Sequence, residues 1–369
     1  MIDPAFWRDR KVFVTGHTGF KGSWLSLWLG HMGARVTGYA LAAPTTPSLF
    51  EAAAVASGMN SIEGDVRDHG ALSGALESDR PDIVLHLAAQ SILAESYLDP
   101  ATTYATNVIG TVNLLDILRR TGGVRAVVIV TSDKCYEVRA ADHVYTEDDL
   151  LGGADPYSSS KACAELATHA FRDSFFDAAQ GLRLASARAG NVIGGGDWAE
   201  YRLLPDLIRA YQAGVAAPVR NPDHVRPWQH VLDALHGYLM LAERLFSEDG
   251  HDFAGAWNFG PDRESCVLVS VIADKVATLW GGGAWCVEAQ CIGAESRELM
   301  LASDKARRRL GWRPRLGLDR ALELTVGWYR AAQAGQDMRR ATLDQIDLFC
   351  VSGENSLAEE RRWTGNTVL

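Results

Sequence analysis

Two groups of residues in the chain could carry chemistry. Tyr157 and Lys161 stand four apart in YSSSK, so a helix would set them on one face. An ammonium close to a phenol lowers its pKa, and the phenolate could take a proton from a substrate hydroxyl while hydride leaves the same carbon. The lysine could also hold the ribose of a nicotinamide cofactor. In the second group, VTSDKCYE at 130–137, Ser132, Asp133 and Lys134 lie side by side after the apolar run AVVIV. Asp and Lys are poor strand residues. They are either a turn with a surface ion pair or an acid and a base facing a substrate.

A cofactor for such an oxidation has a candidate seat near the N-terminus. Gly16, Gly19 and Gly22 in GHTGFKG follow the apolar run KVFVT and open a helical stretch. Glycines at this spacing let the backbone turn tightly against a pyrophosphate, which the helix N-terminus then binds. Thr18, Phe20 and Lys21 complete the loop. The second apolar run ends in Tyr39-Ala40-Leu41 without an acid for a ribose 2′-hydroxyl. These residues leave NAD and NADP both open. Ala88, Ala89 and Gln90 end a later run, where small residues let a cofactor pass.

The elements that must position these residues alternate. Apolar runs at 11–16, 34–41, 82–89, 124–132 and 181–190 read as strands, with helical stretches at 23–33, 107–122 and 158–178. That alternation predicts an α/β fold, a Rossmann-type parallel sheet with helices on both faces. Beyond about residue 190 the pattern loosens, apart from a helix within 225–246. The expected organisation is a dinucleotide-binding domain at 1–190, a smaller mixed substrate-binding domain at 191–335 that interleaves with it, and a polar extension at 336–369.

The chain of 369 residues, 47% hydrophobic and 22% charged, is globular in composition. A net charge of −10 argues against a basic nucleic-acid surface. No apolar leader or membrane-length run is expected. Six scattered cysteines without CxxC spacing read as reduced thiols of a cytoplasmic protein, and no cluster calls for a metal.

The GxxGxxG spacing is similar to that of the extended short-chain dehydrogenases/reductases, and Asp65-Val66 resembles that group's adenine-contacting pair. The chain more closely resembles the CDP-glucose 4,6-dehydratases within that group. VTGHTGFKGSWL (14–25), TSDKCYE (131–137), GGADPYSSSKACAEL (152–166), RAGNVIGGGDW (188–198), RPWQHV (226–231) and WNFGP (257–261) carry the likeness. It implies bound NAD as cofactor and a nucleoside-diphosphate hexose substrate, oxidised at C4, dehydrated across C5 and C6, and given its hydride back at C6. Ser132 would then bind the 4-oxygen with Tyr157, Asp133 would be the acid, and Lys134, if neutral, the base. Asn107 joins the cofactor residues. Asn191, Arg226, and more weakly Arg202 and Arg297, are implied on the substrate side.

Three stretches depart from the family pattern. Ser91-Ile92-Leu93-Ala94-Glu95 lacks its usual arginine, the segment after KCYE differs, and Ser296-Arg297-Glu298 replaces His-Glu-Ala. An epimerase on the same machinery, a dehydratase acting on a different nucleoside-diphosphate sugar, or a noncatalytic NAD-binding protein remains an alternative reading. A homodimer is expected through the helices near 100–120 and 158–178.

Overall fold

The structure, a computed structural model, describes residues 2–139, 142–176, 181–288 and 298–364, with side chains to residue 351. Seven strands form one sheet: β1 (Lys11–Thr15), β2 (Arg35–Ala40), β3 (Asn60–Glu63), β4 (Ile83–His86), β5 (Ala126–Val130), β6 (Arg183–Arg188) and β7 (Gly255–Asn258). Their order is 7-6-5-4-1-2-3 and every pairing is parallel. The order reverses between β1 and β4, where an open α/β sheet leaves a crevice at its carboxyl edge. The glycine loop leaves β1 at that edge. β7 comes from far down the chain, so segments of the two halves interleave.

Both faces of the sheet are buried, which accounts for its unbroken apolar strands. Successive side chains alternate between two cores. Val12, Val14, Leu85 and Val128 pack with Trp24 and Trp28 of α1 (Phe20–His31). Phe13, Val84, Val127 and Ile129 pack with Leu72 and Leu76 of α2 (His69–Asp79) and Leu114 and Leu118 of α3 (Gly110–Leu118). The tyrosine and lysine of YSSSK lie on α4 (Pro156–Phe175), which packs beside α3. α5 (Val231–Phe246), buried along nearly its whole length, backs β5 and β6 on the other face.

The C-terminal stretch carries more order than its polarity suggests. α6 (Leu318–Gln333) is followed by α7 (Met338–Thr364). Met338, Thr342, Ile346 and Phe349 recur at helical spacing and are buried, with Phe349 edge-on to Trp28 of α1. An apolar stripe one residue wide is diluted by the charges around it, and average polarity hides it.

Candidate active site

The glycine loop is shaped by close approach. Gly16 has φ +75°, and a Cβ there would lie 2.7 Å from the backbone N of Ala88. A Cβ on Gly22 would lie 2.1 Å from the Gly16 carbonyl oxygen. α1 starts at Phe20 with Gly19 as its N-cap and no side-chain cap, leaving its first amides toward the crevice. Thr18 Oγ1 donates to Leu41 O at 2.9 Å and ties the loop to the end of β2. These features fit a dinucleotide diphosphate, and Gly16, Gly19, Phe20 and Gly22 would hold it.

Farther along the edge, Asp65 is bound by its neighbour Arg67, with Nε 2.8 Å from Oδ2, and that contact holds its carboxyl below the ordinary range. Val66 is buried against Gly110, where a Cβ would meet its Cγ2 at 2.6 Å. The 88–90 segment is fastened at both ends. Ala88 N reaches Thr15 Oγ1 at 3.2 Å, and Gln90 N donates to Asn107 Oδ1 at 2.9 Å. Ala89 lies between these two anchors.

Asn107 sits in a π-turn at Ala105–Ile109, a wound-out segment often found at functional sites. Its Nδ2 donates to Gln90 O and to Ser160 Oγ, each at 2.9 Å. All of its amide is thus used inside the protein. Asn107 acts as the joint between the cofactor-side loop and the helix of Tyr157 and Lys161.

Tyr157 and Lys161 are both buried on α4. Ser132 ends the segment after β5 and caps the turn Asp133–Cys135, taking Lys134 N at 3.2 Å. Its hydroxyl donates to Asp133 Oδ1 at 3.0 Å and is also hydrogen-bonded to the Tyr157 hydroxyl. Tyr157, Ser132 and Asp133 therefore form one chain of contacts. The Asp133 carboxyl is buried, its Oδ2 has no hydrogen-bond partner in the protein, and burial raises its pKa against the pull of Lys134 and Arg226.

Burial also raises the Tyr157 phenol, while Ser132, Lys134 and Arg202 pull it down. The cations that pull the phenol down are thus Lys134 and Arg202, in place of the Lys161 that the helical spacing suggested. Burial lowers the pKa of Lys161 itself to about 8, against the opposing pull of Glu165 and Cys135. Lys21 lies among the same charges. Its ammonium is lowered to about 7, by burial first and Arg202 next, with Asp133 opposing.

On the substrate side, Lys134, Ser158, Asn191 and Arg226 line one cleft. Arg226, on a short strand Val225–Pro227, is buried, and its Nη1 donates to Val225 O at 2.8 Å. Arg202 is held between Asp197 (2.8 Å) and Ser91 (2.9 Å). It reaches the loop that lacks the expected arginine. Ala94 and Glu95 follow in a short helix, Leu93–Leu98, the first buried and the second exposed. Arg297 falls outside the described residues.

Sequence reasoning missed Gly190, whose bare Cα leaves the space that Asp133 occupies. It also missed Glu165 and Arg188, which pair at 2.8 Å beneath the turn. Glu165 could have been found, since it continues the Tyr157–Lys161 face by one more turn.

A parallel sheet with a glycine-lined turn at its reversal point, and a serine–tyrosine pair beside a buried lysine at the same edge, defines a dinucleotide-dependent dehydrogenase-type enzyme. The chain belongs to the NAD dependent epimerase/dehydratase family, whose model matches residues 12–256. It is 50% identical over 343 residues to the CDP-glucose 4,6-dehydratase of Salmonella typhimurium, covering 92% of this chain and 95% of that one. A dTDP-glucose 4,6-dehydratase of Streptomyces griseus is 30% identical over 67% of this chain and 71% of its own. Among solved structures, the UDP-glucose 4-epimerase of Thermus thermophilus in complex with NAD is similar, with TM-score 0.75 and 26% identity. That match covers 87% of this chain and 99% of that one.

Proposed function

We propose that the protein converts a nucleoside-diphosphate hexose, CDP-glucose foremost, to its 4-keto-6-deoxy derivative. The half-identity to a CDP-glucose 4,6-dehydratase over nearly the whole of both chains supports the substrate. One observation carries the reaction type: the buried Asp133 carboxyl, its pKa raised, joined through Ser132 to Tyr157. Oxidation at C4 alone has no need of an acid there, whereas expulsion of the C6 hydroxyl does.

Bound NAD supplies the acceptor for the C4 hydride and the donor that reduces C6. The chain's residues do the rest. Tyr157 takes the proton of the 4-hydroxyl, and Ser132 holds the same oxygen. Once C4 is a ketone, the C5 proton is acidic. Lys134 in its neutral form removes it, and Asp133 protonates the departing C6 hydroxyl. Asn191 and Arg226 hold the diphosphate, Arg226 by charge and fork geometry. Arg202, bonded to Ser91, adds a further positive charge on the substrate side.

The same reading includes a homodimer. Leu98, Ile109 and Leu166, exposed at 69%, 51% and 56%, lie on the neighbouring segments 93–118 and 156–175, with Tyr104 and Phe175 beside them. Apolar side chains so exposed suit a symmetric interface of paired helices. Among the described residues, no helix is long and apolar enough to cross a membrane.

The test is incubation with CDP-, dTDP-, GDP- and UDP-glucose followed by mass spectrometry. Loss of one water from CDP-glucose supports the reading. A same-mass isomer would make the protein an epimerase, and no change with any sugar would sink both. Sedimentation of the purified protein should show a dimer, and Leu166→Glu a monomer.

A further inference from the structure

Beneath the catalytic turn lies a closed set of polar side chains that the reaction above does not use. Glu165 follows Lys161 by one helical turn on α4. Its carboxylate accepts from Thr131 Oγ1 at 2.5 Å, Ser186 Oγ at 2.7 Å and Arg188 Nη2 at 2.8 Å. Arg188 Nη1 then donates to the Tyr136 hydroxyl at 2.7 Å, and that hydroxyl donates to Asn258 Oδ1 at 2.7 Å. Asn258 Nδ2 in turn donates to Tyr145 O at 3.0 Å. Thr131, Tyr136, Glu165, Ser186, Arg188 and Asn258 are each 5% exposed or less. The set joins the ends of β5, β6 and β7 to α4 and to the turn that carries Asp133 and Lys134.

A buried ion pair is an expensive way to fill space, since apolar side chains of similar volume often give equal or greater stability. Its distinctive contribution here is placement. Tyr136 is the residue directly after the turn Asp133–Cys135, and Glu165 is on the face of α4 that carries Tyr157 and Lys161. One ion pair therefore grips both halves of the site.

We propose that Glu165 and Arg188 are positioning residues: Glu165 sustains the charge of Lys161, and Arg188, through Tyr136, holds the turn that presents Asp133 and Lys134. The inference rests on the 4,6-dehydratase reading. Lys161 faces Glu165 on its own helix, Cys135 from the turn, His86 from the end of β4 and Lys21 from α1. Glu165 is the carboxylate of that group, and burial works against the ammonium charge.

Two variants test this, with the NAD-loaded enzyme mixed with CDP-glucose so that absorbance of the reduced nicotinamide reports C4 oxidation and mass spectrometry reports loss of water. Tyr136→Phe keeps the ring that stacks on Tyr145 and removes only the hydroxyl between Arg188 and Asn258. The ratio of water loss to C4 oxidation should fall about tenfold, as a small misplacement of acid and base would cause. Glu165→Gln should move the alkaline limit of C4 oxidation to lower pH, and Glu165→Asp should move it back. An unchanged ratio in Tyr136→Phe, or an unshifted limit in folded Glu165→Gln, overturns the proposal. If Glu165→Gln does not fold, the Tyr136→Phe ratio decides alone. Should wild type oxidise C4 with no water loss, the dehydratase reading fails, while the pH limit of Glu165→Gln still reports on Lys161.

Discussion

Gly190 lies against the Asp133 carboxylate so closely that a Cβ added to it would sit 1.6 Å from Oδ2 and 2.0 Å from Cγ. Asp133 is buried and held by Ser132 at Oδ1, so it cannot swing aside without leaving its place. Gly190→Ala should therefore displace the carboxyl by roughly an ångström and slow water loss about a hundredfold. Cofactor binding should hold, because the glycine loop lies elsewhere. Separate assays of water loss and of reduction of the bound nicotinamide check this. A parallel fall of both steps would mean that Asp133 serves the oxidation as well.

Burial raises the Asp133 carboxyl, so it keeps its proton to higher pH than an ordinary aspartic acid. C4 oxidation needs the Tyr157 hydroxyl to give up its proton and gains as pH rises. Water loss needs a neutral Lys134 as well as the Asp133 proton, so it first gains with pH and then declines as pH rises through the raised Asp133 value. On that alkaline side the ratio of water loss to C4 oxidation should fall. Asp133→Asn should abolish water loss at every pH and leave C4 oxidation in place. A ratio with no fall on the alkaline side would remove Asp133 as the acid.

Asn107 makes three hydrogen bonds that join Gln90 to Ser160. Asn107→Ala leaves the half-buried Gln90 amide and carbonyl without their partner, at up to about 1–3 kcal/mol for each group left unsatisfied. Thermal melts should show a clear drop in stability. NAD affinity should weaken with it, because the 88–90 segment loses its anchor to α4. Retained affinity in a destabilised variant would confine Asn107 to the fold.

The sheet was legible because its strands are continuous apolar runs and its helices are periodic. β3 and β7 escaped notice: NSIE has one apolar residue, GAWN has two, and an edge strand needs little more. Among site residues, Tyr157 and Lys161 could be paired from spacing alone, since the α-helix fixes which residues share a face. The chain Tyr157–Ser132–Asp133 could not, because it depends on a turn meeting a helix across the sheet edge. Gly190 and Arg188 were hidden for a related reason. A glycine in RAGN and an arginine ending a strand acquire meaning only when the opposite side chain is known.

Asp233 offers a test of the fold away from the chemistry. It lies in the first turn of α5, fully buried, with Oδ1 accepting from Arg315 N at 2.6 Å and Oδ2 lacking a partner. Burial lifts its pKa from 3.8 to about 7, although the backbone amides of Arg315 and Leu316 and the Arg315 charge oppose the rise. A folded pKa above the unfolded one means that the protonated form favours folding. That contribution is complete below the unfolded value of 3.8 and is lost as pH climbs to about 7. Asp233→Asn keeps an acceptor for Arg315 N and never ionises. The variant should melt several degrees above wild type at mildly alkaline pH, and the gain should shrink steadily as the solution is acidified. Melting curves at a series of pH values measure this. A gain of equal size at acid and alkaline pH would show that shape, not charge, sets the cost of Asp233.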